Sequence, residues 1–408
     1  MIIKENILNN GWHIIKFSDC IKQLNTGLNP RNNFSLGSGK LKYITAKNLT
    51  KFGTIDFSKC DFIDEDAKKI IHKRSDIRRG DILFSSRAPI GHCHLITEDP
   101  DFYDIGESIF SIRVNQDVAL PEYLCLYLAS DYFVKVASKH TTGSIIMEIR
   151  ISDLMNTEII IPPREIQKNI AKCLNKIDRK IELNKMVNDN LEQQAATYFQ
   201  ELFINNANPV WQISTISDLG TVVGGSTPSK TKPEYYTNNG IAWITPKDLS
   251  INKSKFISHG ENDITELGLK NSSATVMPKG TVLFSSRAPI GYIAIASNEV
   301  TTNQGFKSVI PYSEIGTAFV YFFLKHSLPV IESAASGSTF KEISGSAMKN
   351  IPAIIPDRNT LDQFNSFCAP IFAQQKILEE QNHSLAMLRD SLLPKLMSGA
   401  IDIASIQL

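Results

Sequence analysis

The sequence predicts an α+β chain of two tandem globular domains, each a mixed β-sheet with helices and each followed by a long helix. Three observations predict it. A nonapeptide recurs unchanged, its surroundings recur with it, and a helical stripe of apolar residues follows each copy. LFSSRAPIG fills residues 83–91 and again 283–291, a displacement of 200. Upstream, KYITAKNLT (42–50) answers AWITPKDLS (242–250) at the same displacement, repeating Ile44, Thr45, Lys47 and Leu49 as Ile244, Thr245, Lys247 and Leu249. Trp12 and Trp211 are each followed six residues later by Ser-Asp. Downstream, residues 142–163 align with 336–357, pairing Gly143 with Gly337, Glu148 with Glu342 and Pro162 with Pro356. There the displacement is 194, so the second copy is about six residues shorter between the two anchors.

Each copy has the same order of elements. DILFSS (81–86) and TVLFSS (281–286) read as strands, 121–137 and 317–331 as apolar helical stretches, and a final strand ends at Pro162 or Pro356. Pro162 and Pro163 suit a helix start, and the segment after them has neither glycine nor proline. Ile170, Leu174, Ile177, Ile181, Asn184, Asn188, Leu191 and Ala195 alternate four and three apart, a heptad seam. Phe364, Cys368, Ile371, Gln375, Leu378, Asn382 and Leu385 repeat it in the second copy. A seam of mixed polar and apolar residues suits a coiled coil in which the two helices partner each other, and about 40 residues give a rod of roughly 60 Å. Core packing of a globular domain is the alternative. The predicted boundaries are 1–162 and 206–356 for the domains, with long helices in 163–205 and 357–408.

A chain of 408 residues calls for two or three cores. The six cysteines are scattered without C-x-x-C spacing and read as reduced thiols of a cytoplasmic protein. No apolar run suits a signal peptide or a membrane span. Net charge of +1 excludes binding of nucleic acid through bulk basicity, but KKIIHKRSDIRRG (68–80) is densely positive, either a binding patch or a solvated helix face.

Catalytic motifs are missing. The chain lacks G-x-G-x-x-G, a P-loop, N-P-P-Y or D-P-P-Y, G-x-S-x-G and H-E-x-x-H. His92-Cys93-His94 could suggest a metal, but the second copy has Tyr292-Ile293-Ala294, which offers no ligand set. Asp66-Ala67-Lys68 has the D-x-K spacing of nucleases without an acidic partner motif.

Taken together, the twin LFSSRAPIG blocks, VVGGSTPSK (222–230), SGSTFKEI (336–343), IIIPPREIQ (159–167) and LLPKLMSGAIDI (392–403) give the whole chain a resemblance to the specificity (S) subunit of type I restriction-modification systems. The first copy departs from it with NTGLNPR (25–31) where the second has GGSTPSK. The resemblance implies a non-catalytic DNA-reading subunit with two target-recognition domains, each reading half of an asymmetric bipartite site. Its two helices would form an antiparallel coiled coil that separates and joins the domains and sets the spacer. The implied partners are double-stranded DNA, two adenine-N6 methyltransferase (modification) subunits and restriction subunits. No cofactor is expected in this chain, and S-adenosylmethionine belongs to the modification subunit. A stand-alone DNA-modifying enzyme and a duplicated protein–protein scaffold are the rival readings.

If two domains read different sequences, residues identical in both cannot choose between half-sites; they hold the fold or the phosphates, and differing loops read bases. Arg87 and Arg287 are thus candidates for phosphate contact or for pinning a strand–loop junction, and Lys47 and Lys247 for phosphate contact or plain solvation. Pro89 and Gly91 read as turn formers. The differing loops supply Arg74, Arg78 and Arg79 in the first copy, along with 25–33 and 141–144. In the second they supply Thr227, Ser229, Lys230, Ser338, Thr339 and Lys341.

Overall fold

The computed structural model describes residues 11–50, 53–138, 148–337, 341–401 and 403. It divides into two compact units, one of Met1–Ile181 with Ser384–Leu408 and the other of Glu182–His383, so the division falls inside both long helices.

In the first unit the strands are β1 (His13–Lys16), β2 (Ile21–Thr26), β3 (Leu41–Ile44), β4 (Asp61–Ile63), β5 (Ile82–Ser85), β6 (Cys93–Leu95), β7 (Tyr103–Ile105), β8 (Ile109–Val114) and β9 (Glu158–Ile161). They form a β1-β9 pair, a four-stranded sheet β2-β8-β5-β6 and a three-stranded sheet β4-β3-β7. The second unit holds β10 (Gln212–Thr215), β11 (Gly220–Gly224), β12 (Tyr236–Thr237), β13 (Ile241–Ile244), β14 (Phe256–Ile257), β15 (Asn262–Ile264), β16 (Val282–Ser286), β17 (Ile290–Ala296), β18 (Thr301–Thr302), β19 (Lys307–Pro311) and β20 (Pro352–Ile355). Its sheets run β10-β20, β11-β19-β16-β17-β14 and β12-β15-β13-β18. Strand for strand, these are the sheets of the first unit with β12 and β14 added at edges. The parallel pairing of β3 with β7 also returns, as β13 with β18. The repeat read from the sequence is therefore a repeat of topology.

The helices are α1 (Glu65–Ser75), α2 (Pro121–Leu128), α3 (Asp131–Ser138), α4 (Ile151–Asn156), α5 (Arg164–Gln200), α6 (Pro246–Ile251), α7 (Glu266–Lys270), α8 (Thr317–His326), α9 (Leu328–Ser333), α10 (Gly345–Lys349) and α11 (Arg358–Met397). Each apolar stretch expected as one helix is two. In the first, Ser130 Oγ donates to Tyr127 O at 2.5 Å and accepts from Phe133 N at 3.2 Å, ending α2 and starting α3. In the second, Pro329 stands in the first turn of α9, where its missing N–H costs nothing. Each break separates a mostly buried first half from a more exposed second half.

Helix α5 begins directly after Pro163 and closes in a π-helical turn at Glu201–Asn205. Helix α11 continues through Pro370 and Pro394. Each proline forfeits a backbone hydrogen bond, and burial of Phe364, Cys368, Ile371, Leu396 and Met397 offsets the cost.

Seam residues Ile170, Leu174, Asn184 and Ala195 on α5 are buried, as are Phe364, Cys368, Ile371, Gln375 and Leu378 on α11. Within the second unit Asn184 Nδ2 donates to Asn382 Oδ1 at 2.9 Å, Gln375 Nε2 to Asn188 O at 3.1 Å and Gln363 Nε2 to Tyr198 Oη at 2.7 Å. Within the first, Arg389 Nη1 donates to Asp178 Oδ1 at 2.9 Å. In the second unit residue numbers thus rise along one helix as they fall along the other, and the polar seam positions Asn184 and Asn382 partner each other.

Each unit has its own core. The first packs Phe17, Phe84, Phe110, Phe133, Tyr123 and Tyr127, closed by Leu396, Met397 and Ile403. The second packs Phe199, Phe203, Phe319, Phe322 and Phe364.

Candidate nucleic-acid interface

The nonapeptide leaves the central strands β5 and β16 and turns back on itself through cis peptides at Ala88–Pro89 and Ala288–Pro289. Ser85 Oγ donates to Pro89 O at 2.5 Å and accepts from His92 N at 2.8 Å; Ser285 does the same with Pro289 O at 2.8 Å and Tyr292 N at 2.7 Å. Gly91 and Gly291 adopt φ of +84° and +96°. A Cβ there would lie 2.3 Å from Val134 on α3 or 2.6 Å from Leu328 on α9, so only glycine lets the turn seat against the helix beyond the break. Ser86, directly after Ser85, joins three chain segments. Ser86 N donates to Ser108 O at 3.0 Å and Ser86 O accepts from Ile149 N at 2.9 Å, with Ser286, Gly305 and Ile343 repeating the pattern at 2.7 and 3.1 Å. The recurring stretch is therefore a structural joint in both domains.

Arg87 and Arg287 stand at this joint. Arg87 Nη1 lies 2.8 Å from Glu107 Oε1 and its Nε lies 3.1 Å from Glu148 Oε1. Glu107 Oε2 accepts from Asn29 Nδ2 at 2.6 Å, and that bond, with the Arg87 guanidinium, holds the Glu107 carboxyl below its ordinary range. In the second domain Arg287 Nη1 is 3.5 Å from Glu342, whose other oxygen is 3.7 Å from Lys307 Nζ. One cation thus meets two carboxylates in the first domain, and two cations share one carboxylate in the second.

The loops that differed in sequence are structural equivalents. A Cβ on Gly27 would lie 1.9 Å from Ile105 O, and one on Gly225 would lie 2.0 Å from Asn303 O. Two residues on, Asn29 bonds Glu107 while Thr227 Oγ1 bonds Gln304. The departure NTGLNPR therefore changes side chains on a retained backbone path.

Ile44, Leu49, Ile244 and Leu249 recur because they are buried, and Thr45 and Thr245 because they start the following turn, with their N–H groups donating to Asn48 Oδ1 at 2.8 Å and Asp248 Oδ2 at 2.7 Å. Lys47 is exposed; Lys247 is exposed and pairs with Glu261 at 2.6 Å. The basic stretch 68–79 lies along α1 and just beyond it. His72 and Ser75 tie its inner face to the buried carboxylate of Asp104, at 3.3 and 2.6 Å. Arg74 Nε donates to Thr26 Oγ1 at 3.1 Å and Arg78 pairs with Asp76 at 2.9 Å, both with exposed side chains, and Arg79 is exposed as well.

Ser229 Oγ meets Thr231 Oγ1 at 2.9 Å, and Lys230 and Lys341 are exposed. Ser338, Thr339 and residues 141–144 lie outside the described residues. His92 and His94 are engaged separately, by Leu49 O at 2.6 Å and Gly53 O at 2.5 Å, and among the described residues no cluster of three His, Cys, Asp or Glu side chains could hold a metal. The sequence reading had paired Glu148 with Glu342 but did not assign them to the arginines. Asn29 was only part of a loop, and Glu107 and Lys307 were missed; nothing local marks them, since they meet the arginines only through the fold.

The chain is similar to several known proteins. A relative in Methanocaldococcus jannaschii, the type I restriction enzyme MjaIX specificity subunit, is 43% identical over 162 residues, spanning 39% of this chain and 37% of that protein. The type I restriction enzyme HindI specificity subunit of Haemophilus influenzae is 25% identical over 406 residues, spanning 80% of this chain and 87% of that protein. The crystal structure of a type I restriction-modification S subunit from M. genitalium shares the fold at a TM-score of 0.58 and 17% identity, covering 95% of this chain and 96% of that one. Residues 9–193 and 209–382 each match the family model of the type I restriction modification DNA specificity domain, and the chain belongs to that family, carrying two copies of its domain.

Proposed function

We propose that the chain is the DNA specificity subunit of a type I restriction-modification complex and does no chemistry itself. Each domain reads one half of an asymmetric bipartite site. The observation that carries this is one backbone module built twice with different polar side chains on matching loops, Asn29 with Glu107 against Thr227 with Gln304. A shared scaffold with exchanged reading residues is what two different half-sites require, because base edges are told apart by donor and acceptor pattern in the major groove.

The paired long helices act as an antiparallel coiled coil that sets the spacer and receives two modification subunits. Those subunits supply S-adenosylmethionine and flip the target adenine into their own pockets, and restriction subunits join them. Half-sites about one helical turn apart, roughly 34 Å, lie on one side of the duplex and within reach of a rod of this length. Partners that neutralise phosphates let the chain work near zero net charge, in the cytoplasm.

Mapping N6-methyladenine in cells carrying the complex tests the reading. One gapped motif is expected, and exchanging residues 1–160 with those of another specificity subunit should change one half of it. A contiguous motif, or both halves changing together, would overturn it.

The two arginines should then respond differently. Arg287→Ala should weaken binding to all sequences alike and lower the slope of log affinity against log salt by about one. Arg87→Ala leaves Glu107 and Glu148 without their cation and should act on the stability of the first domain, by roughly 1 kcal/mol at this partial exposure. Salt titrations of DNA binding and thermal unfolding of both variants separate the two effects.

A further inference from the structure

The second unit buries a charge cluster apart from the joint at Arg287. Lys255 immediately precedes the edge strand β14, and its side chain is 6% exposed. Its Nζ donates to Gln375 Oε1 on α11 at 2.6 Å, pairs with Glu192 Oε2 on α5, and lies over the ring of Phe372 at 4.0 Å and of Tyr321 at 4.8 Å. The carboxylate of Glu379 on α11 accepts both backbone N–H groups at the start of the strand, Lys255 N at 2.8 Å and Phe256 N at 3.1 Å. Glu192 in turn holds Lys325 Nζ at 2.6 Å and accepts from Tyr321 Oη at 3.2 Å, both from α8. One edge of the reading domain is thus bolted to both long helices by directional bonds.

The first copy does not repeat these three residues. The positions matching Lys255, Gln375 and Glu379 are Ile55, Ile181 and Lys185. The cluster is also an expensive way to gain stability, since burial pushes the Lys255 ammonium down and the Glu379 carboxyl up, each against its charged form. Apolar residues would hold the same surfaces together without that cost, but they would tolerate sliding. Charged bonds with fixed donors and acceptors select one docking angle.

We propose that Lys255, Glu379 and Glu192 are positioning residues that fix the angle at which the second domain rides on its helices, and so restrict the complex to one spacer length between half-sites. The proposal rests on the reading of the chain as a specificity subunit.

The test uses the full chain assembled with its modification subunits and duplexes carrying both half-sites at the native spacer, or at one base pair more or less. Lys255→Met keeps the ring contacts and removes the charge; Glu379→Gln keeps the shape and weakens the grip on the strand. Each should lower the preference for the native spacer by about tenfold, the scale of one charged hydrogen bond, while the bases methylated within each half-site stay the same. If Lys255→Met does not fold, Glu379→Gln decides the matter. Variants that are folded, even if less heat-stable, and keep wild-type spacer preference would overturn the clamp and leave a purely structural cluster. A wild-type complex indifferent to spacer length would instead overturn the specificity reading on which the clamp rests.

Discussion

Gly225→Ala should destabilise the second domain by about 3 kcal/mol, whereas Gly224→Ala, one residue earlier, should stay within about 0.5 kcal/mol of the parent. A Cβ on Gly225 would meet Asn303 O at 2.0 Å, Thr302 Oγ1 at 2.4 Å and Thr302 O at 2.5 Å, two of them backbone atoms that cannot swing away. The glycine lies where the loop is pressed onto β18, since Ser226 N donates to Thr302 O at 2.9 Å. Making room would lift the loop and with it two further anchors, Trp243 Nε1 to Ser226 O at 3.0 Å and Tyr236 Oη to Pro228 O at 2.6 Å. Thr227, Ser229 and Lys230 would move with it, so DNA recognition should fall along with the melting temperature. A Cβ on Gly224 meets nothing within 4 Å. Gly27→Ala should behave like Gly225→Ala in the first domain, with Ile105 O at 1.9 Å in the way. Thermal unfolding of the three variants checks this, and equal tolerance at 224 and 225 would show that the loop is not held by close backbone approach.

These glycines also mark the limit of what the sequence made legible. The duplication was readable because identical residues recur at displacements of 200 and 194, and the heptad stripe because helical burial is periodic; Leu174, Asn184, Phe364 and Gln375 are buried, while Ile177, Ile181, Asn188, Leu191, Asn382 and Leu385 are half-buried. Local rules went wrong where tertiary packing outweighs them. The runs 121–137 and 317–331 are mostly apolar and suggest one helix each, yet the breaks fall at their polar interruptions, Ser130-Asp131 and Lys325-His326-Ser327. Within the candidate interface the arginines were legible as recurring charges in an otherwise uncharged nonapeptide. Their partners were not, because Glu107 reaches Arg87 from the turn between β7 and β8 and Lys307 shares Glu342 with Arg287 from β19, and charge pairing between distant segments has no periodicity to read. Nothing local marks Lys255 either: only the fold encloses it between α5, α8 and α11.

The heptad stripe makes a sharper prediction than burial alone, because it separates neighbours on one helix. Phe364→Ala should cost about 3–5 kcal/mol, while Phe367→Ala, one turn along the same helix but off the seam, should cost about 1 kcal/mol or less. Phe364 is fully buried and its ring centre lies 5.2 Å from Phe203, 5.8 Å from Phe199, 6.0 Å from Phe322 and 6.0 Å from Tyr198. It therefore ties the end of α5 and the core helix α8 to α11 in one cluster, and truncation leaves a cavity that three segments would have to close together. Phe367 is 40% exposed and stacks chiefly on Tyr198 at 4.5 Å, a contact that solvent can replace. Thermal or urea unfolding of the full chain checks the pair. The joint at Phe364 also connects the helices to the domain that carries Arg287 and the Thr227 loop, so its loss should weaken reading of the second half-site at temperatures where the first domain is still folded. Similar losses for both phenylalanines would mean that the seam does not organise this end of the helix pair, and the ruler role assigned to it would lose its physical basis.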